Sequence, residues 1–211
     1  KMPKNVDLSG KVAVVTGAGG ILCSEMARAV AAAGAAVALV DINYPAVKAL
    51  EEELTAQGYS ALAVEANVLE KDSLEAAYET VKRDLGPCTI LVNGAGGNNP
   101  KATTARDYFT PEVLEGEEKN FFNMDKSGVE FVFSLNILGA LLPTQVFAKD
   151  MALSGKGNIV NISSMNAFTP LTRIPAYSAA KAGVSNFTQW LAVHFSKVGI
   201  HCPRIFPHQA K

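Results

Sequence analysis

The stretch KVAVVTGAGGILCSEMARAVAAAG, residues 11–34, decides the fold. It opens with a short β-branched apolar run, passes through a turn that contains Gly17, Gly19 and Gly20, and ends in an alanine-rich segment closed by Gly34. β-branched residues favour strands, and glycine commonly terminates helices. We therefore predict a strand, a glycine turn and a helix. Such an arrangement directs backbone N–H groups and a helix N-terminus toward an anion such as a pyrophosphate.

Strand-like and helix-like segments alternate along the rest of the chain. Further strand patterns cover residues 36–41, 61–68, 88–93 and 157–164, with a weaker one at 200–206. Helical patterns cover residues 45–58, 71–86, 129–151 and 176–197, with Asp72 or Ser73 as the expected cap of the second. Continuously apolar strands indicate a sheet buried on both faces, and alternating elements indicate parallel crossovers. We predict an α/β fold, with one doubly wound parallel sheet of the Rossmann type, helices on both faces and a single domain over residues 1–211.

Composition and charge narrow the class of protein. The chain has 211 residues, 48% of them hydrophobic, and a net charge of −1. Its basic residues are scattered, so the sequence indicates neither a nucleic-acid surface nor a membrane-binding patch. Three distant cysteines without metal-ligand spacing favour a reducing compartment and argue against a metal site. The longest apolar stretch, residues 29–40, is too short to span a membrane. We expect a cytoplasmic protein that binds small molecules.

An acidic residue ends the second predicted strand. Asp41 follows Gly17 by 24 residues. A carboxylate at this place can accept hydrogen bonds from ribose hydroxyls, and it repels a 2′-phosphate, so it favours NAD(H) over NADP(H). The alternative is an aspartate that only starts a turn.

A tyrosine and a lysine lie four residues apart in the last predicted helix. Tyr177 and Lys181 share one helix face. A nearby cation lowers the pKa of a phenol, which would make Tyr177 a usable acid or base. The alternative is a surface lysine beside a half-buried tyrosine.

Residues 98–127 form an insertion that is too long for an ordinary connection after a strand. It follows the fourth predicted strand, beside the crevice where open α/β sheets bind ligands. We expect it near the active-site cleft, either as a lid or wall on the substrate side or as surface decoration.

Several short motifs occur in one order along the chain: TGAGGIL at 16–22, ANV at 66–68, NGAG at 93–96, LNILG at 135–139, NISS at 161–164 and YSAAK at 177–181. Together with Asp41, this set closely resembles the short-chain dehydrogenase/reductase family from near the start of the chain to about Gly199. The resemblance implies a catalytic tetrad of Asn136, Ser164, Tyr177 and Lys181.

The resemblance also implies a role for each member of the tetrad. Tyr177 would exchange a proton with the substrate oxygen, and Ser164 would hydrogen-bond the same oxygen. Lys181 would lower the pKa of Tyr177 and bind the nicotinamide ribose, while Asn136 would hold a water in a proton relay to Lys181. Ser164 precedes Tyr177 by 13 residues, the family's usual interval, whereas Ser163 is one residue off.

The implied cofactor is NAD(H). Its implied contacts are Gly17, Gly19, Gly20, Ile21, Leu22, Asp41, Asn67, Val68, Asn93, Gly94, Ala95, Tyr177 and Lys181. Asn93 can equally be read as a buried turn asparagine that satisfies backbone groups. The glycine turn departs from the family pattern, because Ile21 and Cys23 occupy its last two glycine positions. Asn67 also stands where aspartate is commoner.

One subgroup accommodates these departures. The turn, the start of the insertion and the segments around residues 121–151 and 161–200 closely resemble the D-mannonate oxidoreductases, also called fructuronate reductases. The resemblance implies interconversion of D-fructuronate and D-mannonate. A sugar acid needs a cation for its carboxylate and polar groups for its hydroxyls. The candidate substrate residues, besides Ser164, are Asn98, Asn99, Lys101 and Arg173, although the lysine and arginine can also be solvated surface residues.

Other functions stay open at this point. The chain could act on a different keto sugar acid or a 3-oxoacyl substrate, or it could be a truncated or inactive nucleotide-binding module. The tail at 201–211 lacks the family's Pro-Gly turn, substrate loop and last strand, and Pro203 and Pro207 suit a central strand poorly. We hypothesise a truncation or misread sequence there.

The family resemblance further implies a homotetramer built partly through the helices at 129–151 and 176–197. Phe187, Trp190, Leu191 and His194 recur at helical spacing. We interpret them as core or subunit contacts rather than as ligands of a cofactor or metal.

Overall fold

The computed structural model describes residues 6–205. Its parallel sheet consists of β1 (Val12–Thr16), β2 (Ala36–Asp41), β3 (Ala61–Glu65), β4 (Ile90–Asn93), β5 (Gly157–Ile162), β6 (Ile200–His201) and β7 (Arg204–Ile205). The strand order is β3-β2-β1-β4-β5-β6, and β7 also pairs with β5. This order reverses direction between β1 and β4, which is the doubly wound arrangement that the sequence predicts.

Within residues 6–205, six α-helices surround the sheet: α1 (Ile21–Ala32), α2 (Tyr44–Ala56), α3 (Lys71–Asp84), α4 (Lys126–Phe133), α5 (Gly139–Ser154) and α6 (Pro175–His194). One face of the sheet packs on α1 and α2, through residues such as Ala27 and Leu50. The other face packs on α3, α5 and part of α6, through residues such as Leu74, Phe147 and Leu191. The prediction of one sheet with helices on both faces is therefore confirmed.

Two local predictions are wrong in detail. Helix α3 has Glu70 at its N-cap and no side-chain cap, whereas Asp72 and Ser73 lie inside the helix. The Ser73 hydroxyl instead accepts the backbone N–H of Asn67 at 3.0 Å, so it fastens the loop before the helix. The single last strand is split in two at Cys202 and Pro203, because proline has no N–H to donate to the ladder. The expectations for Phe206, Pro207 and the rest of the tail fall outside the described residues.

Instead of one uniform helix over residues 129–151, the structure has a long helical rod that is interrupted by a π-helical turn. It consists of α4, a π-helical turn at Ser134–Leu138 and α5. Within residues 6–205 this rod is the one helix that is long and apolar enough to cross a membrane by length and composition, although half of its most apolar window is buried inside the protein. Phe147 and Met151 are fully buried against the sheet. The protein core therefore accounts for much of its apolar character.

The insertion at 98–127 packs against the helices that carry the predicted catalytic residues. Ala102 is fully buried in a small cluster with Val132 of α4 and Ala180 of α6, and Tyr177 packs against the same cluster. Short 3₁₀ turns at Pro100–Ala102 and Pro111–Leu114 give the segment its shape. No residue of the insertion lines the main cavity within the described chain. The segment therefore packs against α4 and α6, and its role as a lid or wall on the substrate side stays a prediction.

Candidate active site

A cavity of about 1200 Å³ opens at the carboxyl ends of the first five strands. Its lining comes from the turns after β1, β2, β3, β4 and β5 and from α6. Ligands of open α/β sheets bind at this edge, where the strand order reverses. Most of the predicted cofactor residues and three members of the predicted tetrad line this cavity, because parallel strands bring all their carboxyl ends to one side. Gly19, Asn93 and Asn136 do not line it.

The glycine turn is held against the loop after β4. Gly17 has a positive φ of +71°, and a Cβ there would lie 2.8 Å from the backbone N of Ala95. A Cβ on Gly94 would collide with the thiol of Cys23. The thiol therefore fills the space left by a neighbouring glycine. Cys23 is a buried residue of α1 with ordinary helical placement, so its position does not require glycine.

The helix that follows the turn presents free donors to the cavity. Gly20 is the N-cap of α1 and provides no side-chain cap, so the first N–H groups of the helix have no side-chain acceptor at the cap. Ile21 also occupies a position where the family pattern has glycine, and its side chain is 90% exposed. It leaves the backbone of the turn accessible. The uncapped helix end and the close-packed glycines fit the pyrophosphate of a dinucleotide.

Asp41 is fixed at the end of β2. Its Oδ2 accepts the N–H of Gly19 at 2.9 Å, and its Oδ1 accepts the N–H of Asn43 at 2.9 Å. A Cβ on Gly19 would lie 3.1 Å from the same carboxylate oxygen. The carboxylate is thus oriented at the cavity wall with lone pairs left for further donors such as ribose hydroxyls.

Asn67 and Val68 line the cavity after β3. The Asn67 amide donates to Glu70 at 3.0 Å and accepts the N–H of Leu69 at 3.0 Å. Its side chain therefore braces the loop and already has partners. Val68 is buried and offers an apolar surface of the kind that a planar base requires.

Asn93 lies deep below the cavity at the end of β4. Its Nδ2 lies within hydrogen-bond distance of Ala140 O, Thr144 Oγ1 and Asn161 Oδ1. Its Oδ1 is buried and has no hydrogen-bond partner within the described chain. The side chain ties β4 to β5 and α5, which agrees with its alternative interpretation as a structural asparagine.

Tyr177 and Lys181 lie near the start of α6, which has Pro175 in its first turn. Lys181 is 4% exposed, and its Nζ donates to Ile162 O at 2.8 Å. Its Nζ lies 5.7 Å from the centre of the Tyr177 ring. The spacing in sequence does bring both groups to one face, and both line the cavity.

The predicted direction of the Tyr177 pKa is wrong for this structure. Burial raises the pKa of Tyr177, and a hydrogen bond from Ser164 offsets only part of that rise. Burial also lowers the pKa of Lys181 to about 8. Desolvation therefore dominates both groups, because burial removes hydration from the charged form of each. The phenol is protonated at neutral pH and can act as a proton donor.

The two serines after β5 point in different directions. Ser163 is buried, and its hydroxyl bonds to Lys181 O at 3.0 Å and to Ser185 Oγ at 2.6 Å. The Oγ of Ser164 accepts the N–H of Asn166 at 3.2 Å, at the start of a 3₁₀ turn that lines the cavity. Ser163 is thus bonded to α6, whereas the hydroxyl of Ser164 lies beside Tyr177 at the cavity. The geometry agrees with the spacing argument for Ser164.

Asn136 lies in the π-helical turn and is 1% exposed. Its Nδ2 donates to Val132 O at 2.7 Å and to Gly97 O at 2.8 Å. A Cβ on Gly96 would lie 2.8 Å from Asn136 Oδ1 and 3.1 Å from Lys181 Nζ. The Asn136 oxygen and the Lys181 ammonium therefore both approach the bare backbone of Gly96.

Three of the candidate substrate residues lie outside this cavity. Lys101 pairs with Asp125 at 3.7 Å, Arg173 donates to Thr104 O at 3.2 Å, and Asn98 donates to Thr103 at 3.2 Å. None of these three lines the described cavity, because each is bound by the insertion. The structure does not place them beside Ser164.

No pattern in the sequence indicates a role for the individual residues of the segment just after Ser164. Met165, Asn166, Thr169 and Leu171 line the cavity beyond the tetrad. Only their closeness to Ser164 in the chain could have indicated this. Among residues 6–205 there is no group of histidine, cysteine or acidic side chains that could hold a metal ion.

Comparison with known proteins gives the family. The profile described as short chain dehydrogenase matches residues 11–210. An uncharacterized oxidoreductase of Haemophilus influenzae is 54% identical over 203 residues, which are 96% of this chain and 71% of that protein. The oxidoreductase UxuB of Bacillus subtilis, also uncharacterized, is 46% identical over 98% of this chain and 73% of its own length.

A solved structure agrees with the same assignment. The crystal structure of a Haemophilus protein with bound NAD, provisionally named a D-mannonate oxidoreductase, superimposes with a TM-score of 0.91 at 54% identity. The match covers 95% of this chain and 71% of that one. Together with the glycine turn and the doubly wound sheet, these matches show that the chain belongs to the short-chain dehydrogenase family.

Proposed function

We propose that this chain is an NAD(H)-dependent oxidoreductase that interconverts a keto group and a hydroxyl group of a sugar acid, most specifically D-fructuronate and D-mannonate. The observation that carries the proposal is the convergence of Ser164, Tyr177 and Lys181 on one cavity with the glycine turn and Asp41. Bound NADH supplies a hydride to a carbonyl carbon, and bound NAD⁺ accepts one in the reverse direction.

Tyr177 acts as the proton donor in the direction of reduction. Burial keeps its pKa above the usual value, so the phenol carries its proton at neutral pH. It gives that proton to the substrate carbonyl oxygen, and it takes the proton back in the oxidation. Ser164 donates its hydroxyl proton to the same oxygen, in place of its bond to Tyr177, and fixes the position of that oxygen.

Lys181 supplies charge and donors beside Tyr177. With a pKa of about 8 it is mostly protonated at pH 7. One of its protons is bound to Ile162 O, and the others remain for the ribose hydroxyls of the cofactor. Asn136 Oδ1, like Lys181 Nζ, approaches the backbone of Gly96. In this proposal it holds a water that passes protons to Lys181. Asp41 favours NAD(H), since its carboxylate would repel a 2′-phosphate.

The choice of a sugar acid rests on the resemblance of the motifs and on the provisional name of the Haemophilus relative. Within the described lining, the cationic side chain is Lys181. The apolar lining residues Phe131, Leu135, Met165 and Leu171 favour a second candidate, a reductase of 3-oxoacyl substrates or another ketone. The nearness of Ser164, Tyr177 and Lys181 to one another at the cavity argues against an inactive nucleotide-binding module.

A homotetramer in the cytoplasm is part of the proposal. Phe131 and Phe133 on α4 and Val193 on α6 are exposed, and Trp190 is 54% exposed. Exposed apolar residues on two long helices suit helix-on-helix packing between copies of the chain. Phe187 and Leu191 face the core instead, as their helical spacing predicts. The three cysteines are free, which fits a reducing compartment.

The direct test follows NADH absorbance after D-fructuronate is added to the purified protein. We expect steady oxidation of NADH, and much slower oxidation for Ser164→Ala, which loses one hydrogen bond to the carbonyl oxygen. Equal rates for the two proteins would reveal a contaminating enzyme. Binding of NADH without turnover of D-fructuronate would reject this substrate, and turnover of a 3-oxoacyl thioester instead would establish the second candidate.

A further inference from the structure

Beyond the dinucleotide cleft, the cavity is walled mainly by apolar side chains. They come from α4, from the π turn and from the segment after β5: Phe131, Leu135, Met165, Leu171 and Ile174. Such a wall holds a substrate without fixing its direction, so the few polar side chains in the wall decide orientation and specificity. Apart from Ser163, which is bonded to α6, the uncharged polar side chains of this region are those of Ser164, Asn166, Thr169 and Tyr177.

Three of these four polar groups already have a partner or a role. Ser164 and Tyr177 bind the carbonyl oxygen in the proposed reaction. The hydroxyl of Thr169 donates its one proton to Met165 O at 3.2 Å. The side-chain amide of Asn166 makes no hydrogen bond to any residue of the described chain, so both its donor hydrogens and its acceptor oxygen are available.

Asn166 is fixed close to the reacting group. Its backbone N–H donates to Ser164 Oγ at 3.2 Å, and both residues belong to the 3₁₀ turn that includes Met165–Ala167. The catalytic hydroxyl and the free amide are therefore held by one short, hydrogen-bonded turn. A substrate group that reaches the amide must lie within a few bonds of the carbonyl oxygen that Ser164 holds.

Resting on the proposed function, we infer that the Asn166 side-chain amide binds a hydroxyl group on a carbon next to the substrate carbonyl, which makes the enzyme selective for α-hydroxy ketones. An amide matches a hydroxyl because it can donate to the hydroxyl oxygen and accept the hydroxyl proton. An isolated ketone would leave the amide unpaired beside an apolar wall. A site built to bond a hydroxyl discriminates against a substrate without one for this reason.

The test compares D-fructuronate with 5-oxohexanoate, a keto acid with the same number of carbons and the same ketone position but no hydroxyl groups. The wild-type protein should prefer D-fructuronate in kcat/KM. In Asn166→Ala the ratio of the two kcat/KM values should fall about tenfold, the effect of one neutral hydrogen bond of roughly 1.4 kcal/mol. The fall should come from D-fructuronate, while the value for 5-oxohexanoate stays nearly unchanged.

Two further variants complete the experiment. Asn166→Leu keeps the approximate size of the side chain and removes both its donor hydrogens and its acceptor oxygen, so the same fall in the ratio is expected if the alanine variant does not fold. Thr169→Val removes a hydroxyl that is already bonded to the backbone, and it should change both substrates by the same factor. An unchanged ratio in the Asn166 variants would overturn the inference and leave the proposed function standing. A wild-type protein that reduces neither ketone would overturn both.

Discussion

Two tyrosine–lysine pairs with the same spacing lie on different helices of this protein. Tyr78 and Lys82 lie on α3, and Tyr177 and Lys181 lie on α6. On α3, Lys82 Nζ donates to the Tyr78 hydroxyl at 2.7 Å and to Asp150 at 3.1 Å, and the hydroxyl donates to Asp150 at 2.9 Å. This closed triangle fastens α3 to α5. The pair on α6 makes no such triangle.

The surroundings shift the pKa values of the two lysines in opposite directions. The pKa of the exposed Lys82 is raised by its hydrogen bonds to Tyr78 and Asp150, whereas burial lowers the pKa of Lys181 to about 8. Both tyrosines have raised pKa values, with burial as the main cause. The same sequence spacing therefore gives a structural clamp where a carboxylate and solvent are present. The predicted catalytic pair lies where burial leaves the lysine a single backbone acceptor within the described chain. Spacing alone does not create the acid.

Exchanging the two tyrosines should separate these roles most clearly. Tyr177→Phe removes the proton donor and should lower turnover by about 10²- to 10⁴-fold. Tyr78→Phe should keep the wild-type turnover and lose about 1 kcal/mol of unfolding free energy, because its hydroxyl bonds lie far from the cavity. NADH oxidation and urea unfolding measure the two effects. Near-normal turnover in Tyr177→Phe would remove it from the proposed mechanism.

The two lysines should differ in how stability depends on pH. Below pH 8 Lys181 is charged in the folded and unfolded protein, so the folded state carries the whole cost of burying the charge. Between pH 8 and the ordinary value of 10.5 the folded protein releases the proton first, so this cost disappears as pH rises. The free energy of unfolding of Lys181→Met minus that of the wild type should therefore fall by about 3 kcal/mol as the pH rises from 8 to 10.5.

Lys82→Met is the matched control. The pKa of Lys82 is raised, so its stabilising contribution is fully present up to pH 10.5 and disappears only above that value. The stability difference between Lys82→Met and wild type should stay constant from pH 8 to pH 10. Denaturant unfolding at a series of pH values measures the free energy of unfolding of both variants. The same dependence on pH in Lys181→Met and Lys82→Met would contradict the predicted difference between the two lysines.

The smallest expected effect concerns the space between Asn136 and Lys181. A methyl group on Gly96 would press on Asn136 Oδ1 and Lys181 Nζ, whereas one on Gly97 would meet nothing within 4 Å. Gly96→Ala should lower turnover about tenfold by displacing both groups by a few tenths of an ångström, and Gly97→Ala should have little effect on it. Equal turnover in the two variants would show that the close approach at Gly96 is unimportant.

The sequence by itself determined the alternation of strands and helices and the glycine turn, and its resemblance to the short-chain dehydrogenases implied the tetrad. Apolar runs, helix periodicity and glycine positions act within a few residues, so they can be recognised in the chain. Cys23 shows where this limit lies. Its departure from the usual turn pattern is visible in the sequence, but only packing against Gly94 explains why the turn tolerates it.

Only the tertiary structure decided the environment of each polar group. Lys101 and Arg173 look available for a carboxylate in the sequence, yet the folded insertion binds both away from the cavity. The pKa of Tyr177 rises rather than falls, and the amide of Asn166 is left free beside the catalytic serine. These outcomes depend on desolvation and on partners from distant parts of the chain, which a local pattern of residues does not encode.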